Sequence, residues 1–260
     1  MRKEPIQVGD YVHVYNRGNR KQVIVKNTQD SWRFLQALRF FNDTHSSLNI
    51  LRQIQVQQLQ LQAQASPLLT PSVNSELQLQ ADTMFRLGWP KDWPEKNPLV
   101  KILCYCLVPN HFHLLLKEII EGGISKFMQK LGLGYTKYSN IKYEEVGRLF
   151  QGPYQYKLVG DDQIYLEYLS TYIQVKNVLE LFPGGIQAAE KNINQAMKFL
   201  EEYIFSSCPD FLGVRKSLII DKDVLGEIFP TPGDYRKFVV DLIKSGELEH
   251  EVIKKYTIEE

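Results

Sequence analysis

The chain has 260 residues, which at ~150 residues per domain predicts one large domain or two small ones, able to bury roughly 70% of the unfolded surface without staples. Hydrophobic residues make up 43% and charged residues 23%, and 31 basic against 30 acidic residues leave a net charge of +1; this excludes a uniformly basic nucleic-acid packer but not a basic face. Three cysteines are too few for a disulfide framework, MRKEPIQVGD has no signal-peptide core and no stretch of about 18 apolar residues occurs, so a cytoplasmic chain with no membrane partner is expected.

Residues Tyr11 to Tyr15 (YVHVY) alternate around two valines and predict a strand. A cation-rich turn follows, Asn16-Arg17-Gly18-Asn19-Arg20-Lys21. Trp32, Leu35, Leu38 and Phe41 repeat at helical spacing and predict a helix over 30–42, with Asp30 as N-cap or first-turn acid. The stretch 44–98 breaks the pattern. Nine glutamines lie between Gln53 and Gln80, with Pro67 and Pro71 and almost no charge. That bias reads as an insertion, a solvated low-complexity loop rather than core.

Leu99 to Val108 (LVKILCYCLV) is a buried-strand run, Pro109-Asn110 a tight turn, and His111 to Leu116 a second strand, which together predict an antiparallel hairpin. Ser125 to Tyr143 reads as a helix capped by Ser125, despite Gly132 and Gly134. YQYKLV after Gly152-Pro153 reads as a short strand, and Asp161-Asp162 caps a long helix running to Phe182. Gly184-Gly185 ends that unit. Helices are expected over 186–205, 221–229 and 231–245, with a short segment Ser217–Ile220 between them and a solvated acidic tail. The expected division is a domain over 1–183, interrupted by the insertion, and a helical C-terminal extension over 184–260.

The sharpest local feature is His111-Phe112-His113. On a strand both imidazoles point to one face and Phe112 to the other, so the histidines can converge on one divalent ion or simply be satisfied by backbone. Cys104 and Cys106, another i, i+2 pair on the neighbouring strand, would complete a four-ligand zinc site, or else sit as small apolar core residues. Tyr165, Tyr168 and Tyr172 fall at spacings of three and four, hence on one helix face. Such a face either packs on a sheet or offers a nucleophile to a metal-polarised phosphate. Two segments are locally basic at net +4, residues 1–27 and 122–157, and aromatics interleave the second. Cations with aromatics suit a single-stranded or hairpin nucleic acid, and Asn16, Arg17, Arg20, Lys21, Lys130, Lys137 and Arg148 are the candidate contacts.

Taken together the motifs resemble a known family. His13-Val14-Tyr15-Asn16-Arg17-Gly18, the string from Tyr105 to Leu115 (YCLVPNHFHLL), Leu149-Phe150-Gln151-Gly152 and the helix over 165–178 are similar to those of REP-associated tyrosine transposases. These are HUH (His-hydrophobic-His) enzymes of the insertion-sequence-200 type. The resemblance implies an α+β, ferredoxin-like domain with a central antiparallel sheet. It also implies Mg²⁺ or Mn²⁺ on His111 and His113, and strand transfer on single-stranded, hairpin-bearing DNA through a 5′-phosphotyrosine. Tyr172 is the implied nucleophile, with Tyr168 and Tyr165 as fallbacks. A catalytically weakened hairpin-binding protein of the same fold is the alternative, and a monomer or homodimer is expected. The chain departs from the pattern one turn after Tyr172, where the family's metal-binding amide is replaced by Lys176. Lys176 is left to contact phosphate, since a protonated lysine cannot ligate. Asn177, at +5, points elsewhere on a regular helix, so Gln174, a shifted Asn177 or water is left to complete the metal shell.

Overall fold

The structure is a computed structural model, and it describes residues 4–45, 89, 93–246 and 248. Its framework is β1 (Tyr11–Arg17), α1 (Thr28–Phe40), β2 (Val100–Val108), β3 (His111–Glu118), α2 (Gly123–Tyr143) and β4 (Gln155–Leu158). The sheet order is β2-β3-β1-β4 and every pairing is antiparallel. This βαββαβ order with β1 and β3 central is the ferredoxin-like arrangement, so the α+β expectation holds. After β4 come α3 (Gln163–Thr171), a π-helical turn (Tyr172–Lys176) and α4 (Asn177–Leu179). Five further helices follow: α5 (Gly185–Lys191), α6 (Ile193–Glu202), α7 (Cys208–Phe211), α8 (Val224–Ile228) and α9 (Pro232–Ser245).

Strand alternation gives the sheet two buried faces. Val12, Val14, Ile102, Tyr105, Phe112 and Leu114 face α1 and α2, where Phe34, Leu38, Phe127 and Tyr135 complete one core. Leu103, Cys104, Cys106, Val108 and Leu115 face the other way, against α3, the π turn and the C-terminal helices. A register shift between Ile102 and Cys104 separates the two sets on β2. The extra residue puts both Leu103 and Cys104 on the second face, as a β-bulge does. Residues 184–246 thus share a core with the sheet, through Leu200, Cys208, Phe211, Tyr235 and Val239.

Several boundaries differ from the sequence reading, for local reasons. Helix α1 is capped by Asn27, whose side chain accepts from Asp30 N–H at 3.1 Å, and Asp30 is the first-turn acid. Helix α2 starts at Gly123 rather than at Ser125. The buried Glu118 carboxylate at the end of β3 already accepts from Gly123 N–H (3.0 Å) and Ile124 N–H (2.7 Å), which leaves Ser125 no capping work. Gly134 lets α2 approach the end of α1, since a Cβ there would lie 2.5 Å from the Phe41 ring. The predicted long helix ends in the π turn and α4, the helix over 186–205 is split at Asn192, and Ser217–Ile220 forms no regular element. Most of the glutamine-rich stretch lies outside the described residues. Its two ends meet, because Thr44 N–H donates to the Asn97 carbonyl (2.9 Å) and the Asn42 amide bonds Leu99 and Val100.

Candidate active site

Strand period fixes the first two side chains. His111 and His113 project from one face of β3, while Phe112 is buried on the other between Phe34 and Phe150. The helix that must reach them is set by Asp162, whose carboxylate accepts from Ile164 N–H (3.0 Å) and Tyr165 N–H (3.3 Å). Leu166, Leu169 and Ile173 bury on the second sheet face and carry Tyr172 over the histidines. Its ring meets the His113 ring edge-on at 5.9 Å.

The π turn settles where Asn177 goes. An i→i+5 turn holds one residue more than an α turn, so the residue at +5 comes round to the face of the first. Asn177 therefore lies over Tyr172 and enters the site, which corrects the expectation for a regular helix. Its Nδ2 donates to the carbonyls of Tyr172 (3.1 Å) and Ile173 (3.2 Å), which orients the amide. The Oδ1 faces His111 Nε2 at 3.3 Å. On its other side, His111 Nδ1 lies 2.7 Å from Asn110 Oδ1. A neutral imidazole has one N–H for these two oxygens. A proton on Nδ1 serves Asn110 and leaves an Nε2 lone pair facing Asn177 Oδ1, whereas a proton on Nε2 serves Asn177. Burial, chiefly, holds the His111 pKa below its ordinary value, which disfavours a second proton.

His113 is held well below the ordinary histidine range, first by burial and then by His13, His111 and Lys176. Its Nδ1 lies 2.9 Å from His13 Nε2 on β1. Lys176 sits against the site: its ammonium is 5.1 Å from the Tyr172 ring centroid and 3.0 Å from Glu180 Oε1.

A cavity of about 670 Å³ opens over these groups. It is lined by His111, His113, Tyr172 and Asn177 together with Asn16, Arg17 and Lys21 from the first basic segment. Asn16 is pinned by donating to the Gly152 carbonyl at 3.1 Å, and Arg17 by donating to Gln151, so the Leu-Phe-Gln-Gly segment forms one wall. Other predicted residues lie elsewhere. Gln174 is buried beside the Cys104 thiol, away from the cavity. Tyr165 belongs to the second core, and Tyr168 packs edge-on against Phe238 of α9. Lys130 donates to the carbonyls of Asp43 and His45, while Arg20, Lys137 and Arg148 are exposed away from the cavity walls. The second basic segment is partly internal, since Lys142 pairs with the buried Asp30. Cys104 and Cys106 are fully buried, with thiol pKa values pushed up by burial. Among the described residues no three His, Cys, Asp or Glu side chains converge to hold a metal ion, so the four-ligand zinc site is not formed. Sequence reasoning passed over His13, Tyr15, Asn110 and Glu180. The first two stood in the quoted β1 motif, but nothing in a sequence gives the β1–β3 register that aligns Tyr15 with His113.

The fold and the site together define an α+β protein with paired strand histidines facing a helix-borne tyrosine. Residues 95–176, about a third of the chain, match the protein-family model described as "Transposase IS200 like". That span runs from just before β2 through the histidine hairpin to Lys176, the same stretch that carries most of the motifs. A solved structure described as "Structure of the REP associates tyrosine transposase bound to a REP hairpin" has 11% identity and a TM-score of 0.43, covering 85% of this chain and 96% of that one. No curated protein matches the chain. Among the described residues no helix is long and apolar enough to cross a membrane.

Proposed function

We propose that this protein cuts and rejoins single-stranded DNA beside a hairpin, with Tyr172 as nucleophile and a divalent Mg²⁺ or Mn²⁺ held by His111, His113 and Asn177. The observation that carries this reading is the meeting of Tyr172, both histidines and the Asn177 oxygen in one cavity whose rim bears Arg17 and Lys21. Two imidazoles and an amide oxygen form a mixed N/O donor set acceptable to Mn²⁺ or Mg²⁺. When bound, the ion supplies Lewis acidity to the scissile phosphate. The phenol oxygen of Tyr172 attacks phosphorus and the P–O3′ bond breaks. The phenol proton passes to the leaving 3′-oxygen, and the strand stays as a 5′-phosphotyrosine. Reversal rejoins it with no outside energy source. Arg17 and Lys21 hold flanking phosphates, and Lys176, released from Glu180, meets the charge at the reacting one.

A second reading has its own support. Tyr172 is only 3% exposed, with Lys176 across its ring, which suits a hairpin-binding protein that does not cut. One assay separates the two. A labelled single-stranded hairpin is incubated with protein and Mn²⁺ and run on a denaturing gel. The expected result is a shifted covalent band that is absent in Tyr172→Phe. A band that survives in that variant moves the nucleophile elsewhere. Tight binding without a band, across metals and substrates, leaves the binding reading in place.

A further inference from the structure

We propose that His13 is a positioning residue that fixes the tautomer of His113, so that His113 presents a bare Nε2 to the cavity. The inference rests on the metal site proposed above and adds to it a residue outside the donor set.

His13 is 1% exposed in the middle of β1, a place where a sheet core ordinarily takes an aliphatic side chain. Its register partner on β3 is Leu115, and that of Tyr15 is His113, so His13 and His113 are diagonal neighbours on the same face. Their rings are near-parallel, at 22° and 5.1 Å between centroids. The His113 ring is enclosed by three more rings: Tyr15 at 5.7 Å, His111 at 5.1 Å and Tyr172 at 5.9 Å. This packing opposes ring rotation, so Nδ1 stays on His13 and Nε2 on the cavity. The remaining freedom is the position of one proton in the 2.9 Å contact. If His113 Nδ1 donates to His13 Nε2, the cavity-facing nitrogen is a lone pair and can ligate. If His13 Nε2 donates instead, His113 carries its proton on Nε2 and cannot. A ligating histidine ordinarily gives its other N–H to a carboxylate, carbonyl or water. Here the acceptor is a second imidazole from the neighbouring strand.

The test uses the full chain and two readouts. In metal-free protein, ¹⁵N NMR of the imidazole nitrogens should show His113 protonated on Nδ1 and bare on Nε2. Calorimetric titration with Mn²⁺ should show His13→Leu, which fills the space without an acceptor, weakened by about 10–100-fold. His13→Gln, which restores an acceptor oxygen, should retain most of the affinity. Circular dichroism checks the fold of each variant, and if His13→Leu does not fold, the NMR of wild type and His13→Gln decides. A proton on Nε2 of His113 in the wild type overturns the proposal. So does equal Mn²⁺ affinity in wild type and His13→Leu, or equal loss in both variants. If the wild type binds no Mn²⁺ yet shows the Nδ1–H form, the metal reading fails while the role of His13 stands.

Discussion

At the scale of single residues, the site turns on which atoms face which. Asn177 does two things with one amide: its nitrogen ties down the carbonyls of Tyr172 and Ile173, and its oxygen meets His111. Substitutions separate the two. Asn177→Ala removes both and should weaken Mn²⁺ binding by at least about 10-fold. Asn177→Asp keeps an oxygen facing His111 and adds charge, so it should bind Mn²⁺ at least as well as the wild type although it loses the donor. Equal losses in the two variants would mean that the amide serves the backbone and not a metal. The histidine pair was legible because strand period is two whatever the tertiary context. Spacing marked Tyr165, Tyr168 and Tyr172 only as one helix face, and it was the motif resemblance that singled out Tyr172. Asn177 was legible only as one option beside Gln174 and water, because its place depends on a departure from 3.6 residues per turn that the residue types do not announce. The fallback tyrosines show the opposite limit. Spacing puts Tyr165, Tyr168 and Tyr172 on neighbouring positions, but of the three only Tyr172 lines the cavity.

At the scale of elements, the π turn brings the residue at +5 from Tyr172, rather than the one at +4, to the cavity. A single-residue excess in a helix either rotates everything after it by about 100° or is absorbed locally as a wide turn. Here the wide turn spans Tyr172 to Lys176. Deleting Lys176 should therefore let the helix close into regular α geometry, with the asparagine then at +4. The expected result is a folded protein whose Tm lies within about 4 °C of the wild type, with Mn²⁺ binding preserved. Lys176→Ala serves as the control for loss of the charge alone. If the deletion unfolds the protein or abolishes Mn²⁺ binding while Lys176→Ala does neither, the wide turn is a requirement of the site and not an accommodation. The helices whose caps are local, such as α9 with its Thr231–Asp234 capping box, were legible almost to the residue. Helix α2 was misread at its start because its cap, Glu118, lies on the preceding strand.

At the scale of the whole molecule, a near-neutral sum conceals a division of labour among the cations. Arg17 and Lys21 stand at the cavity, whereas Lys26, Lys101, Lys117 and Lys142 are paired with acids that hold the fold together. The sequence marked out helices after residue 184 but not their destination, since no local pattern says which sheet face a helix covers. The shared core, the backbone bonds between β2 and residues 205–207 and the lock at Asp223 join them to the sheet. The Asp223 carboxylate accepts from Lys101 Nζ (2.7 Å), Lys117 Nζ (3.0 Å) and Tyr11 Oη (2.8 Å), and so ties the start of α8 to β1, β2 and β3. Burial alone would raise its pKa. The bonds from the two lysines, Tyr11 and Val224 N–H overbalance burial and hold the carboxyl well below the usual range. A depressed carboxyl stabilises the fold fully above its unfolded value, near 3.9, and loses that contribution as pH falls toward its folded value. Asp223→Asn should therefore cost about 1–3 kcal/mol at pH 7, measured by urea unfolding. The gap to the wild type should narrow steadily below about pH 4, as the carboxyl of the unfolded wild type takes up a proton that the folded one still refuses. A deficit that stays constant from pH 7 to below pH 3 would locate the loss in shape or backbone at this left-handed position (φ 45°) and not in the charge.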